Sequence, residues 1–306
     1  MAVQEEHDMA VGEADFLRAL YQDWSERMAA DPEMSVPMLR SLFDGWHQVT
    51  REPEDVTYRE EVLAGVPGIW CLPAGADDQQ VLLYTHGGGF ITGSAASHRK
   101  VAGHVAKALG VTAIVLDYRR APEQPFPAQL EDSTAVYGEL LDRGYQPQNI
   151  TTIGDSAGGN LAVATVLKLR DDGVALPGSV IAFSPWLDME HLGETLVSNE
   201  ATDALVNKSL LEAMSAGFLG ETASPTDPLA NPLYADYAGF PRLYINAGSF
   251  ETLVDNATRL AERARAAGVD VTLNVVEGQQ HVFPMLAGRA LVADDEIQRI
   301  AQWYRR

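Results

Sequence analysis

Two periodicities divide the chain near residue 58. Before it, apolar residues recur every three or four positions: Phe16, Leu17, Leu20, Tyr21, Trp24 and Met28 over 14–29, then Met38, Leu39, Leu42, Phe43 and Trp46 over 37–47, behind Pro37. The spacing predicts two amphipathic helices ahead of the first strand. Their apolar faces must pack on the main body, and covering a substrate pocket is a second role they can hold at the same time. From Tyr58 onward the pattern changes to short apolar runs bounded by Gly, Pro and Asp, which predicts strands over 58–63, 67–72, 80–85, 112–117, 150–154, 179–184, 241–247 and 271–276. Helical spacing falls over 96–109, 128–143, 157–171, 254–267 and 289–304.

Strands that alternate with helices imply a mostly parallel eight-stranded sheet covered on both faces, a three-layer α/β/α sandwich. The first two strands, joined without a helix, imply an antiparallel start. The segment 188–232 interrupts the alternation with a helix-like piece, Ser209 to Phe218, and a turn-rich stretch, Ser224 to Pro232. The expected organisation is therefore an N-terminal pair of cap helices over 1–50 and one α/β domain over 51–306, with 188–232 as a second cap insertion. Ligand should bind outside the carboxyl ends of the strands.

Composition narrows the possibilities. A net charge of -21 repels phosphates and argues against nucleic-acid binding. The single cysteine, Cys71, excludes an internal disulfide and reads as a small buried hydrophobe within Ile69-Trp70-Cys71-Leu72. The acidic start MAVQEEHDMA has no basic or apolar leader segment, and no run approaches the ~18 apolar residues of a membrane span, so the expectation is a soluble cytoplasmic protein.

The candidate chemistry starts at Gly154-Asp155-Ser156-Ala157-Gly158, between the apolar run ending at Ile153 and the helical stretch from Asn160. Glycines flank a serine in this way where a strained strand-to-helix turn admits no Cβ and lifts the hydroxyl above a sheet edge. With 26 glycines in the chain the pattern alone is a weak signal, so a base, an acid and an oxyanion hole must be sought elsewhere. His86-Gly87-Gly88-Gly89-Phe90 follows a strand, and consecutive glycines there leave backbone N–H groups able to point at a ligand. His86 itself is assigned to holding the loop. Of His7, His47, His86, His98, His104, His191 and His281, only His281 lies on a loop after a late strand, as a base facing Ser156 must. For the acid, Glu251 and Asp255 compete on the loop after 241–247, and spacing does not choose between them. Asp255 has the alternative role of a helix first-turn acid.

With these motifs in order, the chain resembles the hormone-sensitive-lipase-like family of α/β hydrolases. The resemblance rests on His86 to Phe90, Asp117-Tyr118-Arg119-Arg120-Ala121-Pro122-Glu123, Gly154 to Gly158 and Gly278-Gln279-Gln280-His281-Val282-Phe283, and spans about 58–306. It implies a carboxylesterase with Ser156 as nucleophile, His281 as base, Glu251 at the acid position, and backbone N–H groups of Gly88, Gly89 and Ala157 as the oxyanion hole. It implies short to medium acyl esters as substrates, with no cofactor and no metal. Two positions depart from the family pattern: Arg120 stands where leucine is usual, and Glu251 where aspartate is usual, which keeps Asp255 in play. Lactone and amide hydrolysis would use the same residues, and related plant hormone receptors lack the histidine that this chain retains. The expected partner is a small-molecule ester or lactone, and a homodimer is left open. Trp24, Trp46 and Phe218 suggest an apolar pocket under the cap.

Overall fold

In a computed structural model, which describes residues 2–306 with the side chains of 2–14 excepted, the chain forms one eight-stranded sheet. The strands are β1 (Val56–Leu63), β2 (Val66–Pro73), β3 (Asp77–Thr85), β4 (Val111–Leu116), β5 (Ile150–Asp155), β6 (Ser179–Phe183), β7 (Arg242–Gly248) and β8 (Val271–Val276). Their spatial order is β1-β2-β4-β3-β5-β6-β7-β8. β2 pairs antiparallel with both β1 and β4, and every other pairing is parallel. Strands β4, β5 and β6 are buried along their whole length, which is why they read as unbroken runs; β1, at the edge, alternates toward solvent.

Around the sheet lie α1 (Ala2–Ala30), α2 (Val36–Phe43), α3 (Ala95–Leu109), α4 (Ala128–Asp142), α5 (Ala157–Asp171), α6 (Thr195–Ser198), α7 (Lys208–Leu219), α8 (Val254–Ala266) and α9 (Leu291–Tyr304). Local chemistry sets several of their ends. Ser94 and Ser97 form a reciprocal capping box before α3, Gly110 ends that helix in the left-handed region, and the Asn207 side chain accepts from Leu210 N–H at the start of α7. A smaller core between α5, β6, β7 and α8 holds Val163, Val166, Leu243, Ile245, Leu260 and Ala264, and the larger one joins the rest of the sheet to α3, α4, α5 and α9 and to the N-terminal aromatics.

Several boundaries shift: β1 begins at Val56 and β3 at Asp77, ahead of the predicted 58 and 80. The first helix begins at Ala2, well before the predicted 14, and the predicted 37–47 helix tightens after Phe43 into a 3-10 turn, Asp44–Gln48. The last helix starts at Leu291, after Gly288 in the left-handed region. Cys71 is buried and donates to Arg99 O at 3.3 Å; burial pushes its thiol up, so it carries no ready thiolate. Among the described residues no helix is long and apolar enough to cross a membrane, and no cluster of His, Cys, Asp and Glu is arranged to hold a metal ion.

The sheet order has one consequence for the site. From β3 the chain crosses to β4 on one side and then returns to β5 on the other, so the order reverses between β3 and β5. Thr85 at the end of β3 pairs with Gly154 near the end of β5, which brings the loops beginning at His86 and Gly154 together at the carboxyl edge. β7 and β8 end side by side, with Gly248 opposite Val276, so the loops holding Glu251 and His281 are neighbours as well.

Candidate active site

Ser156 is the residue on which β5 turns into α5. Its backbone sits at φ 54°, ψ -120°, a conformation that L-residues rarely adopt, and it is held there because Ser156 N–H donates to Phe183 O at 2.8 Å while its carbonyl accepts from Trp186 N at 3.0 Å. A Cβ at Gly158 would overlap the Thr85 and His86 carbonyls, so only glycine lets the helix approach β3 this closely. The Ser156 side chain stands at the first turn of α5, where the Ala157 N–H begins the helix.

His281 lies beside it. Its Nε2 is 2.9 Å from Ser156 Oγ and its Nδ1 is 2.8 Å from Glu251 Oε2, and both His281 and Glu251 are buried. The second Glu251 oxygen accepts from Ser184 Oγ at 2.6 Å and from the Gly248 N–H. Burial pushes the Glu251 carboxyl up, against the His281, Ser184 and Gly248 donors that favour its ionised form. Burial alone would lower His281, but the Glu251, Asp203 and Asp155 carboxylates together outweigh it, Glu251 contributing most, and the imidazole sits above its ordinary 6.5.

Asp255, the competing acid, does not reach the histidine. It occupies the first turn of α8, where it pairs with Arg259 at 3.1 Å, and Arg259 reaches on to Asp188 at 2.9 Å. The other described histidines are engaged elsewhere: His47 with Asp44 O, His98 with Asp155 and Ser97, His104 with Arg51 O, and His191 with Ser215. The side chain of His7 lies outside the described residues.

The glycine loop meets the serine from the other side. Gly88 adopts φ 110°, and its carbonyl accepts from Ile91 N, Thr92 N and Thr92 Oγ1 at 3.1, 2.8 and 2.9 Å, which turns the carbonyl back into the loop. His86 is buried and bonds Gly87 O at 2.7 Å, the holding role expected of it. The second motif buttresses this loop. Tyr118 stacks on His86 at 4.2 Å and donates to His86 O at 2.6 Å, Ala121 N bonds Phe90 O at 2.9 Å, and Arg120 donates to Gly93 O at 2.7 Å. Arg120 is thus a loop contact within the main body. Arg40 of α2 adds a bidentate pair with Glu123 and bonds to the Ile91 and Ala121 carbonyls.

A cavity of about 30 Å³ joins these pieces, walled by Gly88, Gly89, Ser156 and His281 on one side and by Phe43, Trp46, Trp186, Leu205, Val206, Leu210, Leu211 and Met214 on the other. Of the three aromatics expected there, only Trp46 lines it. Trp24 packs behind Trp46 and Phe43 at 5.4 and 5.0 Å, and Phe218 stacks on Phe90 at 3.8 Å. Phe43, read in the sequence as part of the apolar face of the second helix, lines the cavity as well, and so does Trp186, which no periodicity singles out. Met214 lies against Gly89, so that a Cβ there would meet its sulfur.

A sequence model of the α/β-hydrolase fold matches residues 82–285. Among curated proteins, an acetyl-hydrolase of Streptomyces hygroscopicus is 37% identical over 274 residues, covering 83% of this chain and 90% of its own. An esterase of Acinetobacter venetianus is 34% identical over 247 residues, covering 81% of each chain. Among solved structures, an esterase from the bacterial hormone-sensitive lipase family superposes with a TM-score of 0.91 at 40% identity, covering 96% of this chain and 97% of that one.

Proposed function

The chain belongs to the α/β-hydrolase family, as an esterase of its hormone-sensitive-lipase branch, and on that premise we propose that it cleaves carboxylic esters through an acyl-enzyme on Ser156. One observation carries the proposal: His281 bridges Ser156 Oγ and the buried Glu251 carboxylate at 2.9 and 2.8 Å, and Gly88 and Gly89 line the same cavity. Ser156 attacks the ester carbonyl while His281 takes its proton, and Glu251 selects the imidazole tautomer and stabilises the imidazolium. The oxyanion that forms is received by the N–H groups of Gly88, Gly89 and Ala157, donors whose individual loss typically lowers rate by ~10² to 10³. His281 then returns the proton to the departing alcohol, and water repeats the cycle.

The N-terminal helices and 188–232 act together as a cap that sets substrate size, which their shared walling of the reaction cavity supports. The cavity has room for about two water molecules, which favours acetyl and other short acyl groups. The acetyl-hydrolase among the relatives points the same way. A p-nitrophenyl ester series tests this: kcat/KM should be highest between acetate and butyrate and fall at least about tenfold by decanoate. A maximum at decanoate would remove the size argument, and turnover of lactones in preference to every linear ester would change the substrate class while keeping the residues.

The pH profile tests the base. Catalysis needs neutral His281, and its pKa is raised by the Glu251 carboxylate, so activity is full above that raised value and lost as pH falls through it. The acid limb of kcat/KM should therefore turn above 6.5; a turn at or below 6.5 would mean that the Glu251 carboxylate does not hold the imidazole in its charged form as the 2.8 Å contact implies.

A further inference from the structure

Tyr21 of α1 is fully buried, yet it carries a hydroxyl. A buried hydroxyl needs partners, and this one has two of unequal meaning. It accepts from Trp46 Nε1 at 3.2 Å and donates to the backbone carbonyl of His281 at 3.0 Å. Burial pushes the hydroxyl far above the ordinary tyrosine range, so it keeps its proton and remains a donor throughout the working pH range.

The peptide that receives this bond is held from its other end too. Val282 N–H, the partner of the His281 carbonyl in the same peptide plane, donates to Ser184 Oγ at 3.0 Å, and Ser184 Oγ in turn donates to Glu251. Val282 sits at φ 54°, in the left-handed region that a β-branched residue avoids, and such a backbone persists only where its surroundings over-determine it. The neighbouring Gln280 side chain is tied to Ala204 N and Thr202 O, both at 2.8 Å.

From this geometry we propose that Tyr21 is a positioning residue for the base: its hydroxyl and that of Ser184 clamp the 281–282 peptide and so set the imidazole between Ser156 and Glu251. The first helix then completes the reaction centre as well as covering it. Among the described residues the Tyr21 hydroxyl bonds the His281 carbonyl and Trp46 Nε1, and neither Ser156 nor the imidazole nitrogens, so it reaches the base through the His281 backbone. The proposal rests on His281 as the base.

Tyr21→Phe removes the hydroxyl and keeps the ring that packs on Trp24. Tyr137→Phe is its control, because Tyr137 is also buried and donates to a backbone carbonyl, Ala175 O at 2.7 Å, away from the site. On p-nitrophenyl acetate, Tyr21→Phe should lower kcat roughly ten- to hundredfold with KM within about twofold, since small misplacements of a reacting group carry costs of that size. Its acid limb should move toward 6.5 as the imidazole loosens from Glu251, whereas Tyr137→Phe should lose thermal stability to a similar degree with kcat and acid limb unchanged. If Tyr21→Phe keeps wild-type kcat, changes KM alone, or loses no more activity than Tyr137→Phe, its hydroxyl only satisfies packing and the inference is overturned. An active His281→Ala would refute the underlying base assignment separately.

Discussion

Ser156→Ala is expected to reduce kcat on p-nitrophenyl acetate by about 10⁶, to the uncatalysed background of the cavity, and His281→Ala by a similar factor. The double variant should be no worse than either single one, because serine and histidine act as one device: without the hydroxyl there is nothing to deprotonate, and without the imidazole the hydroxyl is a poor nucleophile at neutral pH. The geometry makes the effect specific. Ser156 Oγ has His281 Nε2 at 2.9 Å, and the other described histidines are bonded elsewhere, so no second base is in place to substitute. Neither change should unfold the protein, since the elbow is held by backbone bonds to Phe183 and Trp186 that alanine keeps. Steady-state rates with a fluorophosphonate labelling assay check both statements. Residual turnover at one per cent of wild type, on folded and unlabelled Ser156→Ala, would sink the acyl-enzyme mechanism.

Glu251→Gln should lower kcat by ~10³ to 10⁴, while Asp255→Asn stays within about twofold of wild type. The carboxylate of Glu251 accepts from His281 Nδ1, from Ser184 and from the Gly248 N–H, all at the acid side of the imidazole. An amide in its place can present an NH2 to Nδ1 and so favour the tautomer whose Nε2 carries the proton, which is the wrong one for accepting from Ser156. Asp255 instead faces Arg259 in the first turn of α8, and its loss removes one partly exposed ion pair, worth at most about 1 kcal/mol of stability. Should Asp255→Asn prove the more damaging of the two, the acid has been misassigned.

The two candidate acids show where reading along the chain stops. Glu251 and Asp255 lie four residues apart after the same strand, and spacing treats them alike. What separates them is the path of the chain after β7: Glu251 N–H bonds back to Gly248 O at 3.2 Å and its carboxylate accepts from Gly248 N–H, while four residues later α8 has begun and Asp255 pairs with Arg259 on that helix. The Asp117 to Glu123 motif is a similar case. Its residues stood out by pattern, but their work as a buttress of the glycine loop, through Tyr118 on His86 and Arg120 on Gly93, depends on β4 ending beside β3.

Trp24, Trp46 and Phe218 were legible as buried, but of the three only Trp46 lines the cavity. Helical periodicity reports which face of a helix leaves water, and Trp24, Trp46 and Phe218 all do. It does not report which of two buried surfaces, core or cavity, a given ring meets. Trp46 lies on the 3-10 turn that follows the second helix and lines the cavity, while Trp24 of the first helix packs behind it, a placement that no apolar count contains.

By itself the sequence determined the layer order, the eight strands, the elbow serine and the glycine loop, because period-2 and period-3.6 burial and the steric demands of glycine-flanked turns are local properties. The tertiary structure decided what spacing left open: that Glu251, which the family resemblance favoured, faces His281, which aromatics wall the cavity, and that Tyr21, 260 positions away in the chain, bonds the peptide of His281. Those are long-range facts. They follow from the sheet order, which reverses between β3 and β5, sets β7 beside β8, and lets the first helix close over loops that contain no sign of it.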